Sequence, residues 1–288
     1  MPGTLYLVPT PIGNLGDISA RMADTLAQAD FIAAEDTRVT LKLLNHLGLK
    51  KPMVSYYRHN TGESGAAVLS RLLAGESCAL VTDAGTPAIS DPGEDLVRQC
   101  AQQDIPVVSI PGPCALITAL AASGLPTGRF TFEGFLAMNK KNRRAHLEEL
   151  KREKRTMLFY EAPHKLLATL TDLRDTLGPD RRIALCRELT KLHEEIRRTT
   201  LGNAVAWYEE TPPKGEFVLV VEGGAPEAEN IPTLETGLLR VESLRNDGAS
   251  LRDAARQAAA ELGLSRKTLY DLALGKRTSD NVDRVPFL

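Results

Sequence analysis

Long hydrophobic runs are missing from this chain: no uninterrupted stretch of about eighteen apolar residues occurs, which argues against a transmembrane helix. Clustered cysteine is missing too. Cys78, Cys100, Cys114 and Cys186 are scattered without a C-x-x-C pair, so they read as reduced thiols in a cytoplasmic setting, and no metal site is expected from them. Charge of one sign is scarce: the formal net charge is −2 over 288 residues. No global field therefore draws the chain onto nucleic acid or an anionic membrane, and any basic contact surface must be local. The opening MPGTLYLVPTPIGN has neither a positive start nor a long apolar segment, so a secretory signal is not expected. Phosphate-binding fingerprints are also absent, with no G-x-x-x-x-G-K-[ST] and no G-x-G-x-x-G. That sets aside the P-loop hydrolases and the Rossmann dehydrogenases.

What is present is an ordinary globular composition, 43% apolar and 25% charged, on a chain long enough for two or three compact units. Short apolar runs alternate with amphipathic stretches as far as Val221. Leu5–Val8, Phe31–Ala34, Cys78–Val81 and Val107–Ile110 read as strands. Met22–Gln28, Thr40–Leu47, Ala66–Leu73, Leu96–Gln102 and Ala115–Ala122 read as helices. Strand, polar turn and helix in repetition predict a largely parallel α/β sheet. Gly124–Gly128 reads as a hinge, placing a first α/β domain at 1–124. A second, smaller one at 125–224 carries strands at Phe130–Glu133, Thr156–Tyr160, Arg182–Cys186 and Glu216–Val221, with helices around His164–Leu177 and Asn203–Tyr208. The Gly/Pro/Glu-rich 223–229 reads as a linker. Residues 225–288 then form linker and helical domain, with Ser250 opening one helix that runs to Gly263 and a second starting at Ser265, a helix-turn-helix pattern.

The strand ends carry the chemistry. Pro9–Asn14 is stiffened by two prolines and opened to close approach by Gly13. Asp83–Gly93 combines two carboxylates, two hydroxyls and two glycines directly after a strand, groups suited to a polar, adenosine-like ligand. Pro111–Ala115 starts a helix whose free amides and dipole suit a carboxylate. Lys214–Glu216 precedes the last apolar strand. Each turn alone is an ordinary βα connection; four together predict a two-domain α/β enzyme with a ligand in the cleft.

In order along the chain stand VPTPIGN (8–14), AAEDTR (33–38), VTDAGTPAISDPG (81–93) and PGPCA (111–115), then FYEAPHKL (159–166), RELTKLHEE (187–195) and KGEFVLVVEG (214–223). The first four resemble the tetrapyrrole-methylase superfamily. With the rest, the set resembles the bacterial 16S rRNA cytidine 2′-O-methyltransferase family over essentially the whole chain. The resemblance implies two α/β domains plus a helical C-terminal domain, S-adenosylmethionine bound between the α/β domains, no metal, and a cytoplasmic homodimer acting on 16S rRNA, within the small ribosomal subunit. Its target is cytidine 1402 of the decoding region. It further implies that Pro11, Asp83, Gly85, Thr86 and Ile89 line the donor pocket. Cys114 and Ala115 add backbone contacts, and Tyr160, Leu189 and Gly215 close it from the second domain. DAGTP stands where cobalamin-pathway relatives carry a GDP-type loop, which favours the rRNA branch.

A ribose 2′-hydroxyl is a weak nucleophile, so a positioned base should help. Glu35, Asp36, His59, Glu188 and Lys191 lie near strand ends; Glu35, Asp36 and Lys191 are the catalytic candidates, Lys191 only if its pKa is lowered. Arg38 and Arg187 lie beside carboxylates and are candidates for gripping RNA phosphates, although 35–38 also reads as a helix-start ion pair. Asn139–Arg155 carries net charge +5, and Lys140, Lys141, Arg143 and Arg144 form its most basic end, an RNA-binding candidate and equally the outer face of a solvated helix. Arg266, Lys267 and Tyr270 could add RNA contact, or the terminal helices could pack a dimer. Two other readings remain at this point: methylation of a tetrapyrrole or other small molecule, and a ligand-sensing regulator whose terminal helices bind DNA.

Overall fold

Nearly continuous apolar runs of three or four residues suit strands buried on both faces, the usual state of a parallel sheet. In the computed structural model, which describes residues 1–57, 60–224 and 233–280, five such runs form one sheet. They are β1 (Leu5–Leu7), β2 (Phe31–Ala34), β3 (Met53–Ser55), β4 (Cys78–Val81) and β5 (Val107–Ser109), ordered β3-β2-β4-β1-β5 and parallel at every pairing. Because strand residues alternate between faces, Leu5, Phe31, Ala33 and Leu80 pack on one side. There they meet α3 (Thr61–Leu73) and α4 (Glu94–Gln102). Val8, Ile32, Ala34 and Val81 pack on the other, against α1 (Ala20–Gln28) and α2 (Thr37–His46). The short edge strand β3 was not expected, since three residues show no period.

The helix α5 (Ala115–Ser123) is largely apolar, but only one face of it is buried, and Ile117 on the other stands 48% exposed. Leu116, Ala119 and Leu120 pack on the second sheet, against Leu158, Ala184, Cys186 and Val220. Gly124 ends the helix in the left-handed region at φ +75°. Arg198 reaches over from the second sheet to donate to the free carbonyls of Ala122 and Ser123, the latter at 3.1 Å, where a cation also suits the helix dipole.

That second sheet contains β6 (Phe130–Gly134), β7 (Thr156–Glu161), β8 (Arg182–Arg187), β9 (Glu195–Thr200) and β10 (Phe217–Val221), in the order β6-β7-β10-β8-β9. Only β6 and β7 pair in parallel; the other pairings are antiparallel. The difference from a parallel expectation has a definite cause. β9, with the sequence EIRRTT, follows β8 through a short loop, which permits only an antiparallel return. Its three charged residues suit an edge strand and break up the apolar run that would announce it. α6 (Lys140–Leu150), α7 (Pro163–Leu177) and α8 (Leu201–Glu210) supply Leu147, Leu166, Leu170 and Val205 to the core on the face opposite α5.

With α5, which follows the last strand of the first sheet, packed on the second, Met1–Gly224 forms one compact unit. Ala225–Leu288 is a second, and most of the expected linker, 225–232, lies outside the described residues. In that unit α9 (Leu234–Asn246), α10 (Leu251–Leu262) and α11 (Arg266–Asp280) enclose a small core of Val241, Ala254, Ala258 and Leu269. Ser250 caps α10 by accepting from the Asp253 amide at 3.1 Å, and Gly263 ends it at φ +66°. α9 lies so close that a Cβ at Gly237 would fall 2.6 Å from Leu269. Arg266 and Lys267 are exposed; Tyr270 is half-buried against the core. Among the described residues no helix is long and apolar enough to cross a membrane.

Candidate active site

Parallel strands end on a common edge, so the turns that follow them meet there. Thr10 and Gly85 exchange backbone bonds, the Thr10 amide to Gly85 O at 2.9 Å and the Gly85 amide to Thr10 O at 3.0 Å. The Thr10 hydroxyl donates to Thr82 O at 2.9 Å. The Thr86 hydroxyl donates to Pro113 O at 3.0 Å and so ties in the turn after β5. Three turns thus form one bonded wall. Its loop holds Gly85 at φ +87° and, more unusually, Ala88 at +69° and Ser90 at +63°. Non-glycine residues there cost about 1–2 kcal/mol each, a strain that surrounding structure must hold.

A facing wall comes from the second sheet, and side chains build it. Glu188 Oε1 accepts from the Glu216 amide at 2.9 Å and from Lys191 Nζ at 2.8 Å; Lys191 also donates to Glu216 Oε2 at 2.7 Å. Glycine is required on both sides of this cluster. A Cβ on Gly215, at φ +83°, would fall 2.5 Å from Glu188 Cγ; one on Gly13 would fall 2.4 Å from Lys191 Cγ. The Lys191 stem therefore crosses directly over the first wall. Burial works against its charge, yet the hydrogen bonds to Glu188 and Glu216 prevail and raise its pKa above 10.5. The same bond from Lys191, then the Glu216 amide, hold Glu188 below the ordinary carboxylate value.

Between the walls lies a cavity of about 370 Å³. The uncapped N-termini of α5, at Cys114 and Ala115, and of α7, at Ala162 and Pro163, both line it. The N-cap side chains of Cys114 and Ala162 accept none of the first-turn amides, and both positive helix ends face the same space. Apolar cover comes from Ile12, Leu189, Phe217 and Val218. The Tyr160 phenol is pushed up to about 12 by burial and stays protonated. Glu161, 4% exposed, accepts from the Ala162 amide at 2.9 Å and from the Thr169 hydroxyl.

Of the expected donor residues, Gly85, Thr86, Ile89, Cys114, Ala115, Tyr160 and Leu189 line this cavity, and so does the catalytic candidate Lys191. Pro11, Asp83 and Gly215 stand outside its lining, next to Ile12, Ala84 and Glu216, which belong to it. A lysine held as an ammonium suits an electrostatic part better than proton acceptance. Glu35 and Asp36 lie outside the lining too, in a cluster where β2 and β4 end. The Thr82 hydroxyl donates to Glu35 Oε2 at 2.6 Å, and the Asp36 amide to Asp83 Oδ1 at 3.1 Å. Asp83 is raised by desolvation and then by the Glu35 charge. Asp36 caps α2, accepting from the Arg38 amide at 2.8 Å, and pairs with the Arg38 guanidinium at 2.6 Å. Arg38 thereby lowers the Asp36 pKa to about 2.

Arg187 is turned to Glu195 at 3.4 Å and to Lys214 O. Lys140, Lys141 and Arg144 are exposed on the first turns of α6, which Asn139 caps. Arg143 differs: its Nε donates to Asp172 at 2.6 Å and its Nη2 to Thr169 at 2.9 Å, so it fastens α6 to α7. His59 lies outside the described residues. Sequence reading missed Phe135, Glu161, Ala162 and Pro163 as lining residues. A carboxylate at a strand end followed by proline at a helix start was an available signal for the last three. Among the described residues no group of three or more His, Cys, Asp or Glu is placed to hold a metal ion.

Comparison with known proteins agrees with this geometry. Residues 4–205 match the model of the Tetrapyrrole (Corrin/Porphyrin) Methylases. The ribosomal RNA small subunit methyltransferase I of Synechocystis is 50% identical, covering 94% of this chain and 98% of the relative. Its Bacillus subtilis counterpart is 44% identical, covering 93% of each. Among solved structures, the methyltransferase CobJ aligns at TM-score 0.59 and 20% identity, over 77% of this chain and 95% of its own. Diphthine synthase aligns at 0.57 and 15%, over 76% and 90%. These two likenesses are of fold alone. The chain belongs to the ribosomal RNA small subunit methyltransferase I family, within the tetrapyrrole (corrin/porphyrin) methylases.

Proposed function

We propose that this protein transfers the methyl group of S-adenosylmethionine to the 2′-oxygen of a cytidine in 16S rRNA, working in the cytoplasm as a homodimer. The observation that carries the reading is the two-walled cavity, one of whose lining residues, Phe135, lies shortly before the basic start of α6, in a chain whose relatives bear an rRNA methyltransferase name. The donor fits the residues present. A volume of about 370 Å³ is in the range of small-molecule sites. Uncapped helix starts suit its carboxylate, the backbone around Gly85 and Thr86 suits a nucleoside, and Ile12 and Leu189 offer apolar cover. Pro11, Asp83 and Gly215 then shape the lining from behind.

When bound, the donor supplies an activated methyl for in-line displacement. The chain's own part is to align acceptor oxygen and methyl carbon and to keep water out, which alone is worth orders of magnitude in rate. Lys191, fixed as a cation on the cavity wall, steadies negative charge developing on the acceptor oxygen. Lys140, Lys141 and Arg144 neutralise RNA phosphates. Arg143 keeps their helix in place.

Purified protein and tritiated S-adenosylmethionine, offered ribosomal subunits, free rRNA and a tetrapyrrole precursor, should label a 2′-oxygen of small-subunit rRNA. Labelling should weaken steeply as ionic strength rises. Label on the tetrapyrrole alone would instead make this a small-molecule enzyme.

A further inference from the structure

One large aromatic ring at the cavity is not accounted for by the donor site. Phe135 follows β6, lines the cavity and is 55% exposed. Its aim is built in. Gly134 turns the chain in the left-handed region at φ +63°, where the β6–β7 register shifts. Leu136, 5% exposed, then plugs the core beneath, so its neighbour must face outward. The ring stands edge-on to Tyr160, with centroids 5.8 Å apart, which leaves a face open. Just beyond, Ala137 and Met138 line a different feature, an open groove of about 820 Å³ along α6 and α7 that carries five Lys or Arg, Lys140, Arg144 and Lys165 among them, against three carboxylates. Phe135 is therefore the threshold between a basic groove and the donor cavity.

From this placement we infer that Phe135 is the stacking platform for the nucleobase of the target nucleotide, with the adjoining groove holding the phosphates. The inference rests on the RNA reading above and adds a positioning residue to it. Bringing the ribose of one nucleotide into a cleft is easier once its base leaves the stack, and an exposed aromatic face replaces the stacking lost. The exposure of Phe135, unfavourable in a free protein, acquires a purpose that way.

The test uses the full chain with small ribosomal subunits and compares Phe135→Ala, Phe135→Leu and Phe135→Tyr. Methyl transfer gives kcat and KM for the subunit; calorimetry gives donor affinity. Phe135→Ala and Phe135→Leu should lose about tenfold to hundredfold in kcat/KM for the subunit, Phe135→Tyr should remain near the parent, and donor affinity should hold in all three. Full activity in Phe135→Leu would make the residue apolar filler and overturn the inference. So would a fall in donor affinity that matches the fall in transfer, since Phe135 would then be a wall of the donor site. An inactive parent would instead remove the rRNA reading and this inference with it, while an active parent beside an equally active Phe135→Ala overturns the inference alone.

Discussion

The two walls of the cleft are made in opposite ways. The first-sheet wall is uncharged: Thr10 and Gly85 exchange backbone bonds on a frame of prolines, and the Thr10 and Thr86 hydroxyls tie in their neighbours. The second-sheet wall is an arrangement of charged side chains, Lys191 between Glu188 and Glu216. Backbone bonds are indifferent to pH and salt, and to most substitutions. Charged side chains respond to all three. Under the proposed function, the uncharged wall would hold the donor and the charged wall would answer the reacting atoms.

The largest expected effect comes from breaking the charged wall sterically. Gly215→Val puts a branched side chain where Glu188 already lies and forces a β-branched residue to φ +83°. Transfer should fall more than about a hundredfold, with stability lost by about 2–4 kcal/mol in denaturant titration. Gly128→Ala, with nothing within 4 Å of the new methyl, should match the parent. Equal behaviour of the two variants would show that the Glu188 cluster is not fixed.

A smaller effect follows from removing the charge alone. Lys191→Met should lower kcat about tenfold to hundredfold while donor affinity in calorimetry stays near that of the parent. The pH response sharpens the contrast. Glu188 is held below 4.5, so its contribution is complete above that value and is lost as pH falls through the folded pKa. Lys191 is held above 10.5, so its contribution is complete below that value and is lost as pH rises through the folded pKa. The stability gap between parent and Lys191→Met should stay flat from about pH 5 to 10 and close at both ends. A gap that varies across neutral pH would assign the shift to other groups.

Smallest of all should be damage to the backbone-bonded wall. Thr10→Val removes the hydroxyl bond to Thr82 O and leaves the Thr10–Gly85 bridge intact. The buried carbonyl loses a partner at a cost of about 1 kcal/mol, read as a shift of the urea midpoint, and donor affinity should barely move. A clear loss of donor binding in Thr10→Val would mean that the first wall depends on that side chain after all.

The first sheet was legible in order and type because parallel strands buried on both faces announce themselves as apolar runs, and only the three-residue β3 escaped. β9 escaped for the reverse reason: its charged residues serve partners rather than a core, Arg197 holding Glu195 and the Trp207 ring and Arg198 the end of α5. The turns that line the cavity were readable from Gly, Pro and Asp at strand ends. Phe135 was not, because an aromatic one step beyond a strand reads the same whether it plugs a core or faces a cleft.

By itself the sequence determined two α/β halves, a helical tail and turns rich in Gly, Pro and Asp at the strand ends, since strand periodicity, helix caps and glycine positions are local properties of the chain. Tertiary structure alone decided what those turns enclose. It fused the halves through α5, turned Arg143 inward onto Asp172 while leaving Lys140, Lys141 and Arg144 outside, and set Lys191 as a cation between two carboxylates. The reason is physical: a side chain's charge state and direction depend on neighbours distant in sequence, and only the packed fold brings those neighbours within a few ångströms.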